Sequence, residues 1–326
     1  MRQNASENKP SVSRFATIAS PLVLLLVLAL VPLIGPGPNT IRLLFISLVW
    51  VTASVAWNIL GGFAGQVSFG FAVFYGLGAY ATAISLNAGL DRVSSLALAA
   101  LVGALTSLLV GLPTFRLRGP YFAIATIGVS EAVRVVMTNL AVTGGASGYR
   151  ISEKGAFNQH LHFYMALGLA AGAVAISMWI RHSKLGLALI SIREDEDAAS
   201  DLGVNPYGTK LLAHALAAAL AAAAGGVYAG YSAFVHPNGV FGFDISVAIL
   251  LMPIIGGIGT VWGPVIGAVV YGLVQEELIA SFPQFHLLLY GALLILIILF
   301  EPGGVLGLIH QLFRFVKART GIGAHT

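Results

Sequence analysis

Long stretches without any charged side chain alternate with short polar segments along this chain. Residues 15–41, 43–90, 93–115, 155–180, 211–243, 245–275 and 278–300 contain no Asp, Glu, Lys or Arg. A bilayer core about 30 Å thick needs roughly 20 apolar residues per helix, so each stretch holds a membrane helix and the two longest hold two each. Splitting the stretches at Gly and Pro clusters, with 119–140 kept as a span although Glu131 and Arg134 lie in it, predicts ten spans, at 17–35, 41–60, 66–87, 93–113, 119–140, 161–180, 209–234, 244–258, 263–281 and 285–301. The expected fold is an all-α membrane bundle. One transmembrane domain covers 17–301, with tails at 1–16 and 302–326 and a polar loop at 181–208.

Composition agrees with lipid as the solvent. Of 326 residues, 57% are hydrophobic and 9% charged, against about 25% charged in soluble domains. Intrinsic disorder, nucleic-acid binding and a secreted disulfide scaffold are excluded, the last by the lack of cysteine. Placing the N-terminus in the cytoplasm puts Arg2, Lys9, Arg14, Arg116, Arg118, Arg181, Lys184, Arg193, Lys210, Arg314, Lys317 and Arg319 inside. Arg42, Arg92, Arg150 and Lys154 then lie outside and Arg134 falls in a span. That bias predicts both termini in the cytoplasm. No A-x-A-like site follows the first apolar segment, so an uncleaved first helix is expected rather than a removed signal.

Glycine clusters at Gly61, Gly62, Gly65 and Gly70, interleaved with Gln66 and Ser68, and again at Gly256, Gly257 and Gly259 beside Thr260. Two readings stand. Small residues let helices approach closely in lipid, and irregular backbone at membrane depth is tolerated where it is buried in protein or lines a cavity, which makes these segments candidates for a translocation path or gate. The Ala/Gly face of 213–226 reads as a packing surface, with His214 as a satisfied interior histidine. Glu131 and Arg134, three residues apart in a span, share a helix face. They form either a functional intramembrane ion pair or a pair close enough to the boundary to reach the headgroups.

The loop at 181–208 is the most polar long segment. Its 193–202 stretch suits a short helix ended by Gly203 and Pro206, charged on one side and apolar at Ala198, Ala199 and Leu202. No other cytoplasmic segment is long enough to cover that apolar side, so it predicts docking of a separate protein. Nucleotide binding by the chain itself is rejected: Gly203 to Lys210 imitates a phosphate loop, but Thr209 and Lys210 are exchanged and Pro206 interrupts it. An intramembrane serine protease is also rejected. Gly145-Ala146-Ser147-Gly148 carries the only likeness to one, and a polar segment follows it.

The ordered motifs together resemble the permease subunits of branched-chain amino acid ATP-binding-cassette importers, the LivM type more than the LivH type. They are Trp57 to Gly70 continuing to Tyr80, Arg118 to Thr126, Glu131 with Arg134, Thr143 to Gly148, Arg193 to Gly203, and Gly256 to Ala268. The resemblance implies a ten-helix, type II-like importer half in the plasma membrane, the inner membrane if the cell is Gram-negative, with no cofactor, metal or chemistry of its own. Its implied partners are a LivH-like second permease, two ATP-binding-cassette ATPases and an extracytoplasmic substrate-binding protein. Arg193, Glu194, Asp195, Glu196, Asp197, Ala198, Ala199, Leu202 and Gly203 would form the ATPase-coupling loop. Such permeases carry Leu, Ile and Val, urea, short amides or aromatic acids. The rival from another class is a self-sufficient ion-coupled transporter or channel, which would show ionisable groups or unwound ion sites at mid-membrane.

Overall fold

The structure, a computed structural model, describes residues 28–35, 37–152 and 158–281, together with 285, 288–289, 291–292 and 304–307. Most of the spans expected at 17–35 and 285–301, the tail at 1–16 and the tail at 302–326 apart from 304–307 lie outside the described residues. The eight spans between them coincide with helices: α1 (Pro38–Leu60), α2 (Phe71–Asn87), α3 (Arg92–Thr114), α4 (Pro120–Asn139), α5 (Gln159–His182), α8 (Pro206–Ser232), α10 (Phe243–Gly256) and α11 (Gly263–Ser281). Between α5 and α8 lie α6 (Lys184–Glu194) and α7 (Glu196–Asp201). The short α9 (Pro237–Val240) precedes α10. Among the described residues six helical stretches are long and apolar enough to cross a membrane, one of them joining α9 to α10; α2 is shorter. One expectation is corrected here. Residues 66–70 are not helical, and α2 starts only at Phe71, because Gly65 turns the chain with φ +70° and Ser68 and Gly70 hold it in an irregular loop.

α8 is the hub, packed against α1, α2, α3 and α5. Its Ala/Gly face is the packing surface the sequence predicts. A Cβ on Gly225 would lie 1.9 Å from the Tyr75 carbonyl oxygen, and one on Gly78 would lie 2.0 Å from that of Ala222. Backbones meet directly at these crossings, which supplies in lipid the close contact that hydrophobic exclusion supplies in water. α3 shows the complementary outer pattern. Ser95, Ala99, Gly103, Ser107 and Gly111, one every fourth residue, face inward, while Leu98, Leu101, Leu105, Leu109 and Leu112 are exposed. The arrangement inverts that of a soluble amphipathic helix and suits a hydrocarbon exterior.

The two ends of the bundle are chemically distinct. At the loop end, α6 and α7 meet the α1–α2 loop, the α3–α4 turn and the start of α8. At the far end, β1 (Tyr149–Arg150) pairs antiparallel with β2 (Phe234–Val235), Asn87 Nδ2 donates to the Arg150 carbonyl at 2.9 Å, and Gln159 Nε2 donates to that of Pro38 at 2.7 Å.

Gly225→Ala should lower the melting temperature in detergent markedly, since overpacking a tight core costs about 1–3 kcal/mol. Gly168→Ala on α5, where an added Cβ meets nothing within 4 Å, should leave it unchanged or raise it. Equal melting of the two variants would show that the α2/α8 crossing yields more readily than its geometry says.

Candidate functional site

Both glycine clusters and the polar loop, far apart in sequence, converge at the loop end. α1 closes in a tight C-terminal turn in which the Gly61 and Gly62 amides donate to the carbonyls of Trp57 and Asn58 at 2.8 and 2.9 Å. Neither glycine accepts a side chain: a Cβ on Gly61 would enter the Trp57 ring, and one on Gly62 the Asn58 carboxamide. Trp57, fully buried, donates from Nε1 to the Ser68 carbonyl at 2.8 Å and holds the loop against its own helix. The Phe69 amide donates to Thr126 Oγ1 at 3.1 Å, which joins the loop to α4.

Asn58 ties the second glycine cluster to the first. Its Oδ1 accepts from the Gly259 amide at 2.9 Å, and its Nδ2 donates to the Thr260 carbonyl at 2.8 Å. Thr260 closes its own turn by donating to the Gly257 carbonyl and accepting from the Gly263 amide. Gly257 and Gly259 sit at φ +128° and +73°, in the region that favours glycine. A Cβ on Gly256 would fall 1.7 Å from the Gly263 carbonyl, so α10 and α11 touch through backbone.

Arg193, in the last turn of α6, is the link between the polar loop and both clusters. Its Nη1 donates to the Gly62 carbonyl at 3.2 Å, and its side chain lies over Gly65 and Gly259 closely enough that a Cβ on either would meet it at 2.8 Å. Nε and Nη2 are held by Glu194 Oε1 at 3.2 and 2.7 Å.

The single helix expected over 193–202 is corrected to two. α6 runs to Glu194, and Asp195 adopts φ −158°, ψ 114°. There its Oδ1 accepts from the amides of Asp197 and Ala198, both at 3.0 Å, and so caps α7. A capping side chain stabilises a new helix start better than a continuing helix, which separates the two. Gly203 ends α7 at φ +89°. The apolar face is corrected too. Ala199 is only 2% exposed and Leu202 is 85% exposed, so Ala198 and Leu202 face outward and Ala199 faces the protein. Positions 196 and 199 are one turn apart and share the side turned toward α8.

On that side Glu196 Oε1 accepts from Lys210 Nζ at 2.7 Å; Lys210 is 1% exposed and the Glu196 side chain 24%. Asp197 pairs with Arg118 at 3.0 Å across an exposed surface, where its carboxylate raises the Arg118 pKa above the ordinary value. Tyr207 adds a hydrogen bond to the Leu112 carbonyl at 2.9 Å. Asn58 and Lys210 are the functional candidates that spacing alone did not single out. Their signals were a carboxamide in an apolar run three residues before a Gly-Gly pair and a lysine at the start of an expected span.

Glu131 and Arg134 are not brought to this cluster. They pair with each other in the second half of α4, and Arg134 Nη1 donates to Asn238 Oδ1 at 2.7 Å. His214 is interior as expected, edged by Phe71, Phe74 and Phe115 and hydrogen-bonded to the Ser107 backbone, while its Nδ1 has no partner among the described residues. A space of about 10 Å³ bordered by Ser68, Thr126 and His214 lies beside it, enough for one water.

The family described as branched-chain amino acid transport system, permease component, matches residues 39–298. The chain belongs to this permease family. It is 30% identical over 317 residues to the high-affinity branched-chain amino acid transport system permease protein LivM of Escherichia coli (strain K12), which covers 87% of this chain and 74% of that protein. A LivH permease of Salmonella typhimurium is 32% identical over 136 residues, 41% of this chain and 43% of that protein. A probable LivM permease of Methanocaldococcus jannaschii is 24% identical over 66% of this chain and 68% of its own. No solved structure matches. The protein is therefore a multi-pass membrane permease.

Asn58→Ala leaves the Gly259 amide and the Thr260 carbonyl without their partner, at about 1–3 kcal/mol for the buried Gly259 amide. Hydrogen exchange of 257–263 should quicken strongly while the α7 amides keep their protection. Unchanged exchange at 257–263 would show that the carboxamide is not what closes the loop.

Proposed function

We propose that the protein is the membrane permease of an ATP-driven importer, moving branched-chain amino acids or closely related small solutes into the cytoplasm by alternating access. The observation that carries this reading is α7. It is a short helix capped at both ends, fixed inward by Glu196 and Ala199, and it presents Leu202, 85% exposed, with Ala198 at the loop end. A rigidly held helix with an exposed apolar tip is suited to transmit a partner's movement, because the contact cannot yield without moving α8 and the glycine loops.

In this reading the loop end is cytoplasmic, in keeping with the Lys and Arg distribution, and both termini lie on that side of the plasma membrane. One of two ATP-binding-cassette ATPases docks on α7, a LivH-like permease completes the path within the membrane, and an extracytoplasmic binding protein delivers solute at the far end. The eight described spans join two more, near 17–35 and 285–301, to make ten. Closure of the ATPases moves α7; Lys210 carries the displacement into α8, and Arg193 carries it to the loops at Gly62 and Gly259. Names of the relatives support a branched-chain amino acid as solute. The ion-coupled rival is disfavoured by the pairing of Glu131 and Arg134, which neutralise each other beside Asn238 instead of standing as lone charges.

Reconstitution decides between the two. Permease with its partners should take up leucine only with ATP, and the chain alone under a proton or sodium gradient should take up none. Gradient-driven uptake by the isolated chain would overturn the importer reading. Leu202→Asp should abolish co-purification with the ATPase and uptake while leaving the melting temperature unchanged, whereas Ala199→Arg should lower the melting temperature by placing a charge in a buried contact. Retention of the ATPase by Leu202→Asp would remove α7 as the docking element.

A further inference from the structure

One buried imidazole and two buried hydroxyls border the same small space between the 66–70 loop, α4 and α8. His214 of α8 is almost fully buried, with the phenyl rings of Phe71, Phe74 and Phe115 set against it. It is hydrogen-bonded to the Ser107 backbone, and Nδ1 has no partner among the described residues. A backbone carbonyl only accepts, so the proton of the neutral ring sits on Nε2 and Nδ1 presents a lone pair. The phenyl rings offer that lone pair no donor. The space has a volume of about 10 Å³, and Ser68 and Thr126 border it together with His214. Both hydroxyls are only partly used. Ser68 Oγ accepts from the Gly70 amide at 3.2 Å, and its own proton has no acceptor among the described residues. Thr126 Oγ1 donates to the Ala123 carbonyl at 2.8 Å and accepts from the Phe69 amide at 3.1 Å, which leaves it one lone pair. The space is thus bordered by one free donor and two free acceptors.

We propose that this space is a binding site for a single water molecule, which accepts from the Ser68 hydroxyl and donates to His214 Nδ1 and to Thr126 Oγ1. The donor and acceptor counts match, because water has two protons to give and a buried water typically makes about three hydrogen bonds. The volume suits one water and nothing larger. An apolar occupant would leave all three groups unpaired, at a cost a buried polar atom rarely bears. The water supplies the 66–70 loop with a tie that its other contacts lack. Trp57 Nε1 holds the Ser68 carbonyl to α1, and Thr126 holds the Phe69 amide to α4. Through His214 the water fastens the same loop to α8, the central helix. The inference goes beyond the importer reading and is independent of the solute carried; within that reading, a shift of α8 reaches Ser68 through this molecule.

The test uses the full-length permease in lipid nanodiscs, with its histidines labelled with nitrogen-15. In water-edited solid-state NMR the unprotonated Nδ1 of His214, assigned by its contacts with the Phe71, Phe74 and Phe115 rings, should receive magnetisation from water protons. No transfer in wild type would overturn the site. His214→Phe keeps a ring against those neighbours and removes the lone pair. It should speed hydrogen exchange of the Phe69 and Gly70 amides about fivefold, as one lost hydrogen bond predicts, while 257–263 keeps its protection. Ser68→Ala removes the donor to the water and also the acceptor of the Gly70 amide. Because one water joins the two side chains, the double variant should exchange about fivefold more slowly than the product of the two single effects. Single effects that simply multiply would overturn the bridge. Coupling without transfer from water would overturn it in favour of a direct hydrogen bond between Ser68 and His214. If His214→Phe does not fold, Ser68→Ala decides the matter: transfer to Nδ1 should weaken in that variant, and undiminished transfer would overturn the bridge.

Discussion

A chain that leaves its helix inside a packed protein must find its buried backbone hydrogen bonds there, because an unpaired buried N–H or C=O is costly. The Asn58 carboxamide meets that demand where two helices end and two begin. By accepting from the Gly259 amide and donating to the Thr260 carbonyl it closes the α10–α11 loop, and its position in the last turn of α1, three residues before Gly61, fixes that loop beside the end of α1. Trp57 and Arg193 complete the enclosure from either side. Glycine is required here for two separate reasons: positive φ at Gly65, Gly257 and Gly259, and contact with a neighbour at Gly61, Gly62 and Gly256. Packing and path-lining therefore do not compete as explanations of the clusters. The same small residues that allow close approach also create the irregular backbone.

The rest of the bundle supports this junction by making its helices hard to separate. α8 runs through the centre with its alanines and glycines against four neighbours, and its first turn holds Lys210. Movement imposed on α7 reaches that turn through Glu196 and reaches the glycine loops through Arg193, so the central helix and the irregular segments receive the same displacement from one short element. α3, with its leucines outward and small residues inward, shows that a helix in lipid is specified by where its small residues lie.

Much of this was legible in the sequence because burial in lipid writes a coarse signal: charge-free runs, broken at Gly and Pro, located seven of the eight described helices to within a few residues, and α4 stood out by its apolar length despite Glu131 and Arg134. The exception, 66–70, was apolar enough to pass as helix, since hydropathy does not register a left-handed glycine at 65 or the hydroxyl of Ser68 accepting from the Gly70 amide. The polar loop was recognised, but its internal geometry was not. Spacing within 193–202 fits one helix equally well, and only the capping geometry of Asp195 divides it and turns Ala199 inward. Lys210 was counted toward the charge bias and considered for a phosphate loop. That it would be buried depends on Glu196, fourteen positions earlier, and no local pattern reports such a pair. Convergence of Arg193 on both glycine clusters is likewise a tertiary fact.

The two ionic contacts of α7 differ in one respect that bears on how it is held. Lys210 and Glu196 meet largely out of water, whereas Arg118 and Asp197 meet in it, with side chains 66% and 75% exposed. Mobile ions screen an exposed pair strongly at a Debye length of about 8 Å and a buried pair far less. Raising the ionic strength thus releases one corner of the helix and leaves the other anchored, which turns a clamp with two fixed points into a pivot about Glu196.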